Sequence, residues 1–217
     1  MTPSTLDAPL RAGLAALQVD LSAAQVQGLL DYAALIAKWT QVYNLTALRD
    51  PASILSHHIL DSLAVLPSLQ AFTRASGCDA LLDVGSGAGL PGVVIALCCP
   101  ALRVDCVDTV GKKAAFIQQA ALALKLPGLR GVHARVEQLA GQYPLITSRA
   151  FASLPDFVAA SRAQLAPGGV WMAMKGHTPD AEIAALPADV EVFHVEPLEV
   201  PSLDAQRCLV WMRKKAA

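Results

Sequence analysis

The chain has 217 residues and a mass of 22.7 kDa, enough for one well-buried domain with a short appendage and too few for two full α/β domains. Hydrophobic residues make up 54% and charged residues 16%, which excludes a disordered or collagenous chain. Lys and Arg number 17 against 18 Asp and Glu, a net charge of −1, so any hold on nucleic acid must come from a local patch.

The charge is unevenly spread. Residues 62–175 carry 10 basic and 6 acidic side chains, residues 176–206 carry 7 acidic and none basic, and the tail from Arg207 to Lys215 carries 4 basic. No apolar run near the N-terminus is long enough for a signal peptide, and none approaches the ~20 residues of a membrane span. The five cysteines are irregularly spaced and form no Cys-x-x-Cys, so a reduced, cytoplasmic protein without disulfides is expected. No His, Cys or Asp cluster has metal-ligand spacing, and no metal is expected.

The first ~60 residues read as helical. Ser22 with Gln25 fits a capping box, and Val26, Leu29, Leu30, Ala33, Ile36 and Ala37 follow at helical spacing through Trp39. Tyr43 to Thr46 reads as a break. A second helix is expected from Pro51 or Ser53, with His58 on its apolar stripe, ending at Pro67. Residues 1–67 are thus expected to form a helical extension packed on a domain spanning 68–217.

From residue 80 short apolar runs alternate with helical segments. Strands are expected at 80–84, 103–107, 131–134, 145–149 and 170–174, and helices at 91–99, 112–126, 154–165 and 180–186. Such alternation means βαβ units, a parallel sheet and helices on both faces. The runs 190–195 and 207–212 have no helix between them and predict an antiparallel terminal hairpin. Seven mostly parallel strands with that hairpin make an α/β, Rossmann-like fold of the class I methyltransferase type. A nicotinamide-binding domain more often ends on a sixth parallel strand.

The most informative segment runs from Leu81 to Gly92. A strand enters the cluster Gly85-Ser86-Gly87-Ala88-Gly89-Leu90-Pro91-Gly92, and a helix follows. Gly85 and Gly87 let the backbone turn tightly and approach a ligand closely. Leu90 stands where the dinucleotide fingerprint has its third glycine. Pro91 at the helix start removes an N–H that an anion would use, which suits a ligand without phosphate such as S-adenosylmethionine. Asp108, 23 residues after Gly85 at the end of the second strand, can accept from two ribose hydroxyls, or is a solvated strand-end carboxylate.

With these pieces in place the chain resembles the bacterial small-subunit ribosomal RNA N7-guanine methyltransferases, the glucose-inhibited division protein B family. The resemblance is clearest over residues 40–177. It rests on Asn44-Leu45-Thr46-Ala47, His58-Ile59-Leu60-Asp61-Ser62-Leu63, Asp83 to Gly92, Gly111-Lys112-Lys113 with Phe116, Arg135-Val136-Glu137, Ser148-Arg149-Ala150-Phe151-Ala152 and Lys175-Gly176. It implies S-adenosylmethionine as cofactor, with Gly85, Leu90, Val136, Glu137 and Arg149 as its contacts beside Ser86, Gly87 and Asp108. It implies small-subunit rRNA, or the small subunit itself, as partner, and a cytoplasmic setting.

Guanine N7 carries a lone pair and no proton, so its methylation needs positioning more than a general base. No residue is assigned a catalytic role with certainty. Arg149, Phe151, Lys175, His58 and Asp61 are candidates for positioning the substrate. Phe151 either stacks on the base or is a core aromatic. Arg149 contacts the methionine part, the guanine edge or a phosphate. His58 and Asp61, three residues apart, are expected to hydrogen-bond on one helix face. Lys112, Lys113, Lys125, Arg130, Arg149, Arg162, Lys175 and the 213–215 tail are expected to grip RNA. The rivals are a nicotinamide oxidoreductase, for which no Tyr-x-x-x-Lys is present, and a binding module without turnover.

Overall fold

The computed structural model describes residues 4–215. Two long helices come first, α1 (Ser4–Ala16) and α2 (Ala23–Tyr43). In α1 the buried Leu6, Leu10 and Leu14 recur every fourth residue. The Ser22–Gln25 capping box forms as expected: Gln25 N–H donates to Ser22 Oγ, and Ser22 N–H to Gln25 Oε1. Asn44, in the left-handed region at φ 50°, ends α2.

The second expected helix is broken up. Asp50 caps α3 (Pro51–Ile54), which passes into a π-helical turn (Leu55–Leu60) and a short α4 (Asp61–Leu63). Pro67 does not end this run. It sits in the first turn of a further helix, α5 (Leu66–Ser76), where a proline is tolerated.

The remaining elements alternate. They are β1 (Ala80–Val84), α6 (Gly92–Cys98), β2 (Arg103–Asp108), α7 (Gly111–Ala123), β3 (Leu129–His133), β4 (Tyr143–Arg149), α8 (Leu154–Ser161), β5 (Leu165–Lys175), α9 (Asp180–Ala184), β6 (Val190–Pro197) and β7 (Cys208–Lys214). The sheet order is β3-β2-β1-β4-β5-β7-β6. The first five strands pair in parallel, and β7 runs antiparallel to both β5 and β6. Every expected strand is present. The main boundary error is β5, which begins five residues early through Pro167-Gly168-Gly169 because Leu165 pairs with Tyr143 across a bulge.

Neighbouring residues on each central strand serve opposite cores. Leu81, Leu145, Met172 and Leu209 join the cluster beneath the N-terminal helices, while Leu82, Ile146, Trp171 and Val210 join the cluster against α8. The first cluster runs from Leu6 to Trp211, so the helices ahead of β1 share an apolar core with the sheet. The strand order reverses between β1 and β4. A crevice therefore opens at their carboxyl ends, where open α/β sheets bind ligands.

Candidate active site

The glycine turn leaves β1 at that switch point. Gly85, Gly87 and Gly89 have φ of 68°, 60° and 83°, values that L side chains rarely adopt. The N–H groups of Gly85 and Ser86 both donate to the Val107 carbonyl, at 2.9 and 3.2 Å, and pin the turn to the end of β2. Gly87 N–H donates to Asp108 Oδ2 at 2.9 Å, and Val110 N–H to Oδ1 at 2.8 Å. Asp108 is thus oriented by two backbone donors, and its remaining lone pairs are available to a ligand. From α2, the fully buried Tyr32 donates its hydroxyl to the carbonyls of Ala88 and Gly89, at 2.5 and 3.2 Å.

Asp83 lies beneath the turn with no solvent exposure. Its Oδ2 accepts from Gly92 N–H at 2.9 Å, and its Oδ1 has no partner. A Cβ at Gly92 would overlap Cys106 Sγ and lie 2.8 Å from Asp83 Oδ2, so only glycine lets α6 start this close to β1. Burial pushes the Asp83 carboxyl up to about 7, against the Gly92 hydrogen bond and the Arg149 charge.

A cleft of about 380 Å³ opens beside the turn, within the ~300–1,000 Å³ usual for small-molecule sites. Gly85, Asp108, Lys113, Val136, Glu137 and Phe151 line it. Five residues singled out from sequence therefore converge, together with Lys113, whose Nζ lies 3.8 Å from Asp108. Phe151 has a face on the cleft and a face on the core, where it packs at 5.7 Å on Phe157 of α8. Ser86 and Leu90 are buried within the turn.

Arg149, at the end of β4, turns away from the cleft toward the π-helical turn. Its Nη1 donates to Asp61 Oδ2 and to the His57 carbonyl, both at 2.9 Å. The other Asp61 oxygen accepts from Arg207 Nε at 2.8 Å. The expected His58–Asp61 hydrogen bond does not form, because both Asp61 oxygens face arginines. His58 Nε2 instead meets Thr46 Oγ1 at 2.8 Å, and Arg149 Nη2 lies 3.3 Å from Nδ1. Nδ1 also lies 3.0 Å from the His57 carbonyl, which can only accept, so the two neighbours of Nδ1 call for opposite tautomers of the ring. Burial, then the Arg149 charge, lowers the His58 pKa to about 4 and keeps the ring neutral at pH 7.

Lys175 is held by Glu182, 2.7 Å from its Oε2. Arg162 is held by Asp189 and Arg213 by Glu191, so the acidic stretch of the sequence neutralises three of the basic residues expected to grip RNA. Arg130 is held by Asp105. Arg207 and Tyr32 are structural contributors that the sequence reading missed. Tyr32 continues the α2 stripe, three residues after Leu29 and four before Ile36, and was open to detection. Nothing near Arg207 pointed to Asp61.

Asp83 and His58 act on stability in opposite directions with pH. The Asp83 pKa is raised on folding, so its contribution is full below about 4 and is lost as pH rises to about 7. The His58 pKa is lowered, so its contribution is full above about 6.5 and is lost as pH falls to about 4. Wild-type stability relative to Asp83→Asn should therefore decline between pH 4 and pH 7. Urea midpoints at pH 5 and pH 7 measure this, and a wild-type-minus-variant difference that stays constant or grows would contradict the assignment.

Among known proteins, the model of the GidB family, described as rRNA small subunit methyltransferase G, matches residues 25–210. A ribosomal RNA small subunit methyltransferase G from Polaromonas sp. (strain JS666 / ATCC BAA-500) is 64% identical over 211 residues, covering 96% of this chain and 93% of its own. One of the same name from Paracidovorax citrulli (strain AAC00-1) is 61% identical over 97% of this chain and 90% of its own. Among solved structures, the N-methyltransferase NodS from Bradyrhizobium japonicum WM9, in complex with S-adenosyl-L-homocysteine, superposes with a TM-score of 0.58 at 15% identity. It covers 83% of this chain and 99% of its own. TrmN from Thermus thermophilus does so with a TM-score of 0.56 at 21% identity, over 74% of this chain and 53% of its own. These likenesses bear out the class I methyltransferase fold, and with the family model matched along nearly its whole length the chain belongs to the GidB family, rRNA small subunit methyltransferase G.

Proposed function

We propose that this chain transfers a methyl group from S-adenosylmethionine to N7 of a guanosine in small-subunit rRNA, and that it does so in the bacterial cytoplasm. One observation carries the reading: Gly85, Asp108, Val136, Glu137 and Phe151 converge on a single cleft at the strand-order switch. Residues 68–217 are then the cofactor-binding unit and residues 1–67 its extension, of which the described helices α1 to α4 share the apolar core beneath the sheet. Among the described residues no helix is long and apolar enough to cross a membrane.

The site fits the cofactor. Gly85 and Gly87 leave the turn without a Cβ, Asp108 offers free lone pairs suited to ribose hydroxyls, and Val136 supplies an apolar wall. Pro91 withholds an N–H at the start of α6, as suits a ligand without phosphate. When bound, S-adenosylmethionine supplies a methyl group on a positively charged sulfur. The protein's own part is to position and to shield. Phe151 offers a ring face at the mouth, against which a base is positioned for in-line transfer.

S-adenosylmethionine is expected to raise the melting temperature of the protein. Small-subunit rRNA from cells lacking this chain should gain a labelled methyl group at guanine N7. Label found only at another atom, or none, would refute the substrate assignment.

A further inference from the structure

The last turn of α2 leaves a shelf that the fold does not cover. Tyr43 is 42% exposed and Val42 is 69% exposed. Trp39, one turn earlier, lies 5.0 Å from the Tyr43 ring and meets the edge of Phe116 on α7 at 5.3 Å. A row of aromatic rings thus leads from the core between α2 and α7 out to Tyr43.

The direction of α2 places this shelf. Near its start, Gln25 Nε2 donates to the carbonyls of Leu97 and Cys98 at the far end of α6. Midway, Tyr32 reaches the glycine turn that precedes α6. The helix therefore runs toward the face where the cleft opens, and Tyr43 lies about 16 Å further along its axis than Tyr32. Cations stand on the elements that lead to this end. Lys112 stands one turn before Phe116 on the same side of α7, is exposed, and has no ion pair among the described residues. Lys113 reaches into the cleft itself. Arg49 Nη2 donates to the side chain of Asn44, the residue after Tyr43. Elsewhere Arg130, Arg162, Lys175 and Arg213 are each held by a carboxylate.

We propose that Tyr43, with Lys112 and Arg49, forms an RNA subsite outside the cofactor cleft, in which the Tyr43 ring stacks on an unpaired base near the target guanosine and the two cations face the adjoining phosphates. An exposed ring flanked by unneutralised cations is the composition of a single-strand platform. The inference rests on the proposed function for its choice of RNA.

The test uses small-subunit rRNA from cells lacking this chain, with binding read by filter retention and turnover by methyl incorporation. Tyr43→Ala should weaken rRNA binding and raise the KM for rRNA roughly 5- to 100-fold, with S-adenosylmethionine affinity unchanged and the urea midpoint lowered slightly through the lost Trp39 contact. Tyr43→Phe keeps the ring and should restore binding. Lys112→Ala should flatten the dependence of log K on log salt by about one unit. Wild-type rRNA affinity in Tyr43→Ala, or a loss in Tyr43→Phe as large as in Tyr43→Ala, would overturn the subsite. Binding is read without turnover, so a wild-type protein that holds rRNA and leaves N7 unmethylated would count against the proposed reaction alone.

Discussion

Asp61→Ala should lower stability by about 3 kcal/mol and remove most methyl transfer. The Asp61 side chain is only 4% exposed and holds one arginine on each oxygen. The three residues come from distant parts of the chain: the π-helical turn hands on to Asp61, β4 ends in Arg149, and Arg207 precedes β7. Without the carboxylate, two guanidinium groups at 18% and 23% exposure would face one another uncompensated. Breaking a buried pair this way costs about 3–5 kcal/mol, and the partial solvation of both arginines favours the low end. The His57 carbonyl keeps one hydrogen bond to Arg149, so the guanidinium is loosened and not freed. Loss of position at the end of β4 then reaches Phe151, two residues on. Asp61→Asn keeps the shape and loses the charge, and should fall between wild type and alanine. Urea denaturation and turnover are the measurements; an unchanged midpoint for Asp61→Ala would contradict the clamp.

Gly85→Val should abolish S-adenosylmethionine binding, a loss of at least about 100-fold. A β-branched residue at φ 68° is an outlier, and the left-handed conformation alone costs about 1–2 kcal/mol. The new Cβ would lie 3.4 Å from Phe151 Cδ2, and the branches beyond it would fill the space between the turn and that ring. Gly85→Asp separates occlusion from strain. Its short polar side chain tolerates this φ, so the protein should fold, yet it sets a second carboxylate beside Asp108 and should still fail to bind. Calorimetric titration with S-adenosylmethionine decides: affinity within threefold of wild type in Gly85→Asp would mean that the cofactor lies elsewhere.

Local pattern carried most of the fold and half of the site. Central strands buried on both faces read as continuous apolar runs, and the Ser22–Gln25 box is written in adjacent residues. Gly85, Asp108 and Phe151 each sit within a few residues of a strand end, so placing the strands placed them, whereas Val136 and Glu137 came only from the family resemblance. The illegible parts are those set by tertiary contact. A π-helical turn shares its apolar stripe with an ordinary helix, so the widening before Asp61 leaves no mark in the sequence. Pro167-Gly168-Gly169 reads as a loop, and only the pairing with β4 makes it the start of β5. Asp61 and Arg207 are 146 residues apart, and nothing local brings them together. The acidic run 176–206 looked like a separate feature until the terminal hairpin laid Glu191 beside Arg213 and Asp189 beside Arg162.

Mapping N7-methylguanosine in the small-subunit rRNA of cells that lack this chain, and of the same cells supplied with wild type or Gly85→Asp, reaches the core of the account. One new N7-methylguanosine with wild type and none with Gly85→Asp is the predicted result. No new modification with wild type, or the same modification with both proteins, would contradict it.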